Sequence, residues 1–183
     1  MNSSQACDPS CAPAGADSTS RDDAVARYDA VPAGTDQLTW LAEEAAAIAQ
    51  APVALINLVK STSVRVVATV GTDVTVLEPK DTVCAAVVGQ GRRLHIRDAS
   101  QDELLASNPF VDGRWARVRF CGAHPLISAW DVPVGALAVF DYQARDLDPS
   151  QLERLDDLAV RVMETLEAVR ANAAQRDQEG LAL

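Results

Sequence analysis

The segment that decides the fold is residues 118–142, with the sequence VRFCGAHPLISAWDVPVGALAVFDY. It contains two runs rich in Val, Leu, Ile and Phe, at residues 118–128 and 134–141, and the residues between them include Asp131 and Pro133. Such runs on either side of a short turn-forming segment are typical of an antiparallel hairpin. The second run is apolar at both alternating positions, so we expect it to be covered on both faces, in the middle of a sheet.

A second hairpin is predicted nearer the N-terminus. Residues 53–59 and 64–70 are two apolar runs, and the polar residues 60–63 between them are of hairpin-turn length. Before them, apolar residues recur at helical spacing from Asp36 until Pro52 ends the pattern. After them we predict a short helix, a short strand, one or two helical turns and a loop, in that order, at residues 82–88, 94–96, 102–107 and 108–113.

The last predicted element is a long helix that starts with Asp148 as its N-cap and Pro149 in its first turn. Its apolar residues alternate at spacings of three and four, as in a coiled coil. They are Leu152, Leu155, Ala159, Val162, Leu166 and Val169. A stripe of this width is typical of a helix that packs on its own sheet, and the alternative is that a second subunit shares part of it.

Composition and charge limit the classes of function. The chain has 183 residues, 48% of them hydrophobic and 4% aromatic, with a net charge of −10. This charge repels nucleic acid, and the densest basic cluster, Arg114, Arg117 and Arg119, is small. No apolar run has the length of a membrane span and no signal peptide is evident, so we expect a cytoplasmic protein. Four cysteines in a reducing compartment do not indicate a disulfide framework.

The predicted domain organisation is one folded unit between two tails. Residues 1–26 are rich in Ser, Ala, Pro, Gly and Asp, and we expect them to be disordered, with Cys7 and Cys11 as incidental thiols. The folded domain covers residues 27–170, and residues 171–183 form a C-terminal tail. The order of elements predicts an α+β fold: an antiparallel sheet with the terminal helices on one face and a roof of loops and short helices over a pocket on the other.

From about Arg27 to Leu166 the chain resembles a GAF domain, a small-molecule-sensing module related to PAS domains. Six segments carry the resemblance, in order and at the right spacing: residues 53–59, 81–85, 94–99, 108–111, 119–126 and 135–141. The resemblance implies a ligand pocket between sheet and roof, without identifying a ligand or cofactor. The residues expected there are Cys84, Val87, Phe110, Trp115, Arg119, Cys121, Ala123 and Asp141.

The specialised branches of that family fit less well. Bilin-binding members attach the chromophore through a cysteine usually followed by His, whereas Ala85 follows Cys84 here. The signature of cyclic-nucleotide-binding members is absent, and His124, beside Pro125 in a strand, is expected to be a core or hydrogen-bonded imidazole. No metal-ligand spacing is found in the folded part.

Three hypotheses follow. In the first, the chain has no output domain of its own: it binds a small molecule, dimerises through its terminal helices and signals to a separate protein. The alternative is a thiol-based redox sensor, or an enzyme like the GAF-related free methionine sulfoxide reductases, using Cys84 and Cys121. The third is a scaffold whose pocket is filled by its own side chains. Buried free cysteines are commonly inert core residues, which favours the first hypothesis over the second.

Overall fold

The computed structural model describes residues 18–103 and 105–180. These residues form one antiparallel sheet of six strands, with helices and loops on both of its faces. In chain order the elements are α1 (Ser18–Ala26), α2 (Asp36–Ala49), β1 (Val53–Val59), β2 (Val64–Val70), β3 (Val76–Leu77), α3 (Val83–Gln90), β4 (Leu94–Ile96), α4 (Pro109–Asp112), β5 (Phe120–Ile127), β6 (Pro133–Asp141) and α5 (Pro149–Gly180). Short 3-10 turns lie at Pro79–Asp81 and Ala99–Gln101.

The strand order is β3-β2-β1-β6-β5-β4, so β6 lies at the centre, between β1 and β5. Both predicted hairpins are present, as β1–β2 and β5–β6, and the central position of the last strand is confirmed. Gly135 allows the close approach of β1 to β6, because a Cβ at this position would lie 2.0 Å from the Asn57 carbonyl oxygen. The strand pairing therefore requires glycine at this place.

The sheet separates two apolar clusters. On one face α1, α2 and α5 pack against residues such as Ile56, Phe120 and Leu126. On the other face α3 and the loops cover a smaller cluster that includes Cys121 and Ala123. Side chains of β5 thus alternate between the clusters, as strand geometry requires. The predicted α+β architecture, with the terminal helices together on one face, is confirmed.

The chain termini differ from the sequence-based expectation. Helix α1 lies within the segment predicted to be disordered, and it is held by Val25, which is 1% exposed in the helix-side cluster. At the other end α5 continues to Gly180, past the expected domain limit at residue 170. The polar composition near both ends gave no signal for these helices, and at the N-terminal end buried contacts of Ala24 and Val25 with the core hold α1. Cys7 and Cys11 lie outside the described residues.

A smaller difference concerns the connection before β5. A helix was expected at residues 102–107 and a loop at 108–113, whereas α4 falls at Pro109–Asp112. The Asn108 side chain caps this helix by accepting a hydrogen bond from the Phe110 N–H at 2.9 Å, and Pro109 suits its first turn. Among the helices of the described residues, none is both long and apolar enough to cross a membrane.

Candidate ligand-binding site

A cavity of about 270 Å³ lies between the sheet and its loop-built cover. Its floor comes from the sheet: Val53 and Leu55 of β1, Cys121 of β5 and Phe140 of β6. Its walls come from the long connection between β2 and β5, and residues such as Val74 and Leu77 keep them apolar. The strands thus supply a rigid base, and the variable connection sets the shape of the space above it.

Aromatic side chains gather around this cavity. Phe110 and Trp115 meet edge to face, with ring centroids 5.0 Å apart and planes at 76°. Phe140 and Tyr142, at the end of β6, also line the space. Trp115 is 61% exposed and Tyr142 51%, so these two rings border the opening to solvent.

Three polar residues of the lining, Asp81, Thr82 and Asn108, lie at the starts of α3 and α4. Asn108 holds the two starts together, since its Nδ2 donates to the Asp81 carbonyl oxygen at 3.0 Å. Thr82 caps α3 by accepting a hydrogen bond from the Cys84 N–H at 3.2 Å. Asp81 also lines the cavity, and among the described residues its carboxylate forms no hydrogen bond or ion pair.

The eight residues expected in the pocket separate into two groups. Phe110, Trp115 and Cys121 line the cavity. Five others lie outside its lining: Cys84, Val87, Arg119, Ala123 and Asp141. Cys84, Val87 and Ala123 belong to the apolar cluster between α3 and the sheet, directly behind the cavity. These three residues therefore contribute to the packing of α3 on the sheet and not to the cavity lining.

Arg119 and Asp141 have their polar atoms engaged in holding the backbone. The Arg119 Nη1 donates to the carbonyl oxygens of Val111 at 3.0 Å and Val118 at 2.9 Å. The Asp141 carboxylate accepts from the Gln143 N–H at 3.0 Å and pairs with Arg145 at 2.8 Å. Both side chains therefore fix segments beside the cavity.

The two buried cysteines are free thiols, and burial governs their acidity. Loss of water raises the pKa of Cys84, although Asn57 Nδ2 donates to its Sγ at 3.0 Å, which opposes the shift. Burial also raises the pKa of Cys121 to about 12, with a further contribution from the negative charge that Cys84 would carry. Neither thiol is set up as a nucleophile at neutral pH.

The histidines lie away from the cavity lining. His124 is buried on the helix-side face, and its Nδ1 lies 2.6 Å from the Asp156 Oδ1 of α5. Arg93 pairs with the other oxygen of the same carboxylate. The prediction of a hydrogen-bonded core imidazole is confirmed, and this network ties β5 to the C-terminal helix.

Sequence reasoning missed several lining residues, among them Val53, Leu55, Asp81 and Tyr142. Strand alternation could have indicated the first two, since Val53, Leu55 and Val59 occupy alternate positions of a predicted strand. For Asp81 no such signal existed. Its position depends on how residues 71–82 fold over the sheet.

The sequence and the fold were compared with those of known proteins. No family model matches the sequence. A curated relative, a cyclic di-GMP phosphodiesterase of Pseudomonas aeruginosa, is 31% identical over 122 residues, which is 64% of this chain and 20% of the relative. The chain therefore spans about a fifth of the length of this relative.

Two solved structures show the same fold. The GAF domain of an Acinetobacter phosphoenolpyruvate-protein phosphotransferase superposes with a TM-score of 0.59 at 16% identity, covering 86% of this chain and 97% of that one. The type II free methionine-R-sulfoxide reductase of Thermoplasma acidophilum gives 0.61 at 11% identity, covering 78% and 96%. The chain thus has the fold of a GAF domain, and the resemblance drawn from its sequence is confirmed.

Proposed function

We propose that this chain is a cytoplasmic sensory GAF module that binds a small organic molecule reversibly and acts through a separate signalling protein. The observation that carries this proposal is the cavity itself: about 270 Å³ of apolar space on a rigid strand floor, with aromatic rings at its opening. Concave apolar sites with a few polar groups are the usual form of small-molecule sites.

The lining residues Phe110, Trp115 and Cys121 are the proposed contacts with the ligand. Cys84, Val87 and Ala123 would act indirectly, since they set the distance between α3 and the floor. Arg119 and Asp141 would hold the segments that carry the rings. A ligand that pushed α3 outward would thereby change the packing on the floor strands.

A thiol enzyme is the less supported alternative. A reductase of this type needs an accessible thiolate to attack sulfur. Cys84 has no exposed surface, and the pKa of each buried thiol is raised, so neither meets this requirement. The reductase of T. acidophilum shares the fold, and fold alone does not carry an activity.

Native mass spectrometry of the purified protein tests the proposal, because it reports bound molecules and subunit number together. We expect a non-covalent adduct on the wild-type chain that is lost in Ala116→Phe, which places a ring inside the cavity. Ala144→Phe, on the exposed loop after β6, is the matched control and should keep the adduct. An adduct that survives in Ala116→Phe would mean that the molecule binds elsewhere.

A further inference from the structure

The aromatic residues of this chain are unevenly distributed. Three Phe, three Trp and two Tyr make eight in all, and four of these eight line the cavity. The four are Phe110, Trp115, Phe140 and Tyr142. In a protein whose core is built mainly from Ala, Val and Leu, this concentration places several π-systems around one space.

The charge of the lining has a single sign. Asp81 is an acidic residue of the lining, and no Lys or Arg lines the cavity within the described part of the chain. Arg119 lies outside the lining, its Nη1 is held by two backbone carbonyl oxygens, and its field is felt by Asp98. Lys80, next to Asp81 in the chain, is attracted by Asp81, but it also lies outside the lining and pairs with Glu78 at 2.7 Å. An anion entering this space would therefore meet an acidic residue and no basic residue of the lining.

The N-terminus of α3 is a further positive feature near the cavity, since a helix start carries about half a positive charge. Thr82 already caps this end. The full charge of Asp81 stands beside it and exceeds that half charge, so the local balance stays negative. The net charge of −10 acts in the same direction, because it raises the concentration of cations around the protein.

We propose that the cavity selects an organic cation, a compound with an alkylated ammonium group that lies among the aromatic rings with Asp81 as its counter-ion. This inference rests on the proposed function and specifies its ligand class. Aromatic rings attract such cations, contributing about twofold in affinity at exposed sites and about thirtyfold or more at dry ones. A nearby carboxylate adds to this preference.

Three soluble probes of matched shape test the inference: choline, the neutral 3,3-dimethyl-1-butanol and the anionic 3,3-dimethylbutanoate. Their dissociation constants are measured on the whole chain by titration of methyl NMR signals, with Val74 and Leu77 as cavity reporters. We expect choline to bind about tenfold more tightly than the alcohol and the anion to bind most weakly. Equal binding of choline and the alcohol, tighter binding of the anion, or binding of none would overturn the inference.

Two pairs of variants attribute the preference to the residues named. Asp81→Asn should reduce choline affinity about tenfold and leave the alcohol unchanged, whereas Glu153→Gln removes an exposed charge of α5 outside the lining and should change neither. Trp115→Leu should also weaken choline, and Trp130→Leu, at an exposed ring elsewhere, should not. An Asp81→Asn protein that keeps the full preference would contradict the role of the carboxylate. Native mass spectrometry tests the proposed function separately. A neutral bound molecule would support reversible binding of a small molecule and would contradict the proposed cationic ligand.

Discussion

Cys84 and Cys121 lie beneath the cavity in surroundings that disfavour a thiolate. Cys84 is a fully buried residue of α3, and Cys121 is 3% exposed on the floor strand. Raised pKa values follow from this burial, which outweighs the hydrogen bond that Asn57 donates to Cys84. Burial therefore makes both cysteines poor nucleophiles, although a redox sensor would need a reactive thiol at this place.

The two thiols should therefore react slowly in the folded protein. In a Cys7→Ser/Cys11→Ser background, we expect iodoacetamide to label Cys84 and Cys121 at pH 8 at least about 100-fold more slowly than in denaturant. Mass mapping after mild peroxide should find no bond between them. A stoichiometric Cys84–Cys121 disulfide, reversed by a thiol reductant and absent in Cys121→Ser, would instead support redox function.

His124 gives the folded state a dependence on pH. Burial lowers the pKa of His124 below its usual value near 6.5, and the opposing attraction of Asp156 is weakened because Arg93 shares that carboxylate. Burial likewise lowers the pKa of His95. Below pH 6.5 the unfolded chain therefore binds protons that the folded chain does not, and stability is lost as the pH falls.

We expect the free energy of unfolding to decrease between pH 7 and pH 5.5, and His124→Gln to reduce this slope. Glutamine stays neutral over the range and can still donate to Asp156. Urea titrations monitored by circular dichroism, repeated at several pH values, measure both quantities. Stability that rises as the pH falls in the wild-type chain would contradict a lowered pKa for the buried histidines. An unchanged slope in the variant would show that His124 does not contribute to the pH dependence.

Helix α5 has one face buried against the sheet and another face exposed to solvent. Leu155 is completely buried on the sheet side, whereas Val160, little more than one turn further, is 60% exposed. We predict that Leu155→Asp unfolds the chain or leaves it severely destabilised, because the charge cannot be solvated in the core. Val160→Asp should change the free energy of unfolding of the monomer by less than about 0.5 kcal/mol, as measured by thermal and urea denaturation at protein concentrations at which no dimer forms.

The same exposed position tests the proposed dimer through the terminal helices. Trp40 of α2 and Val160 are both exposed apolar residues on this layer, and a dimer seam would cover one or both. Light scattering should then report a dimer for the wild-type chain and a folded monomer for Val160→Asp. A wild-type monomer at high concentration would remove the dimer and leave the core role of Leu155 intact.

For the molecule as a whole, the sequence predicted the sheet well because its signals are local. The predicted bounds of β1, β2 and β4 match the structure, and the apolar character of β6 indicated its central position. Strand alternation also placed Cys121 and Ala123 on the cavity side. Each of these features depends on the spacing of neighbouring residues in the chain.

The site was predicted less completely because it depends on non-local packing. Cys84 and Val87 lie in the expected helix, and this helix packs against the sheet. The cavity is instead lined by residues such as Phe110 and Trp115. The path of the connection between β2 and β5 decides this, and its irregular backbone has no periodicity from which a position could be inferred. Helix α1 was not predicted for a similar reason, because its stability comes from contacts with the rest of the core.

We propose that the loop-covered face of the sheet, and not the helix-covered face, is the surface that binds small molecules reversibly. A methyl-labelled NMR screen with a library of water-soluble fragments tests it most directly. We predict that bound fragments shift the methyl signals of Val53, Leu55 and Val74, and leave those of Leu38 and Leu158 unchanged. Fragments that shift only the helix-side signals, or a library without a single binder at millimolar concentration, would contradict the account.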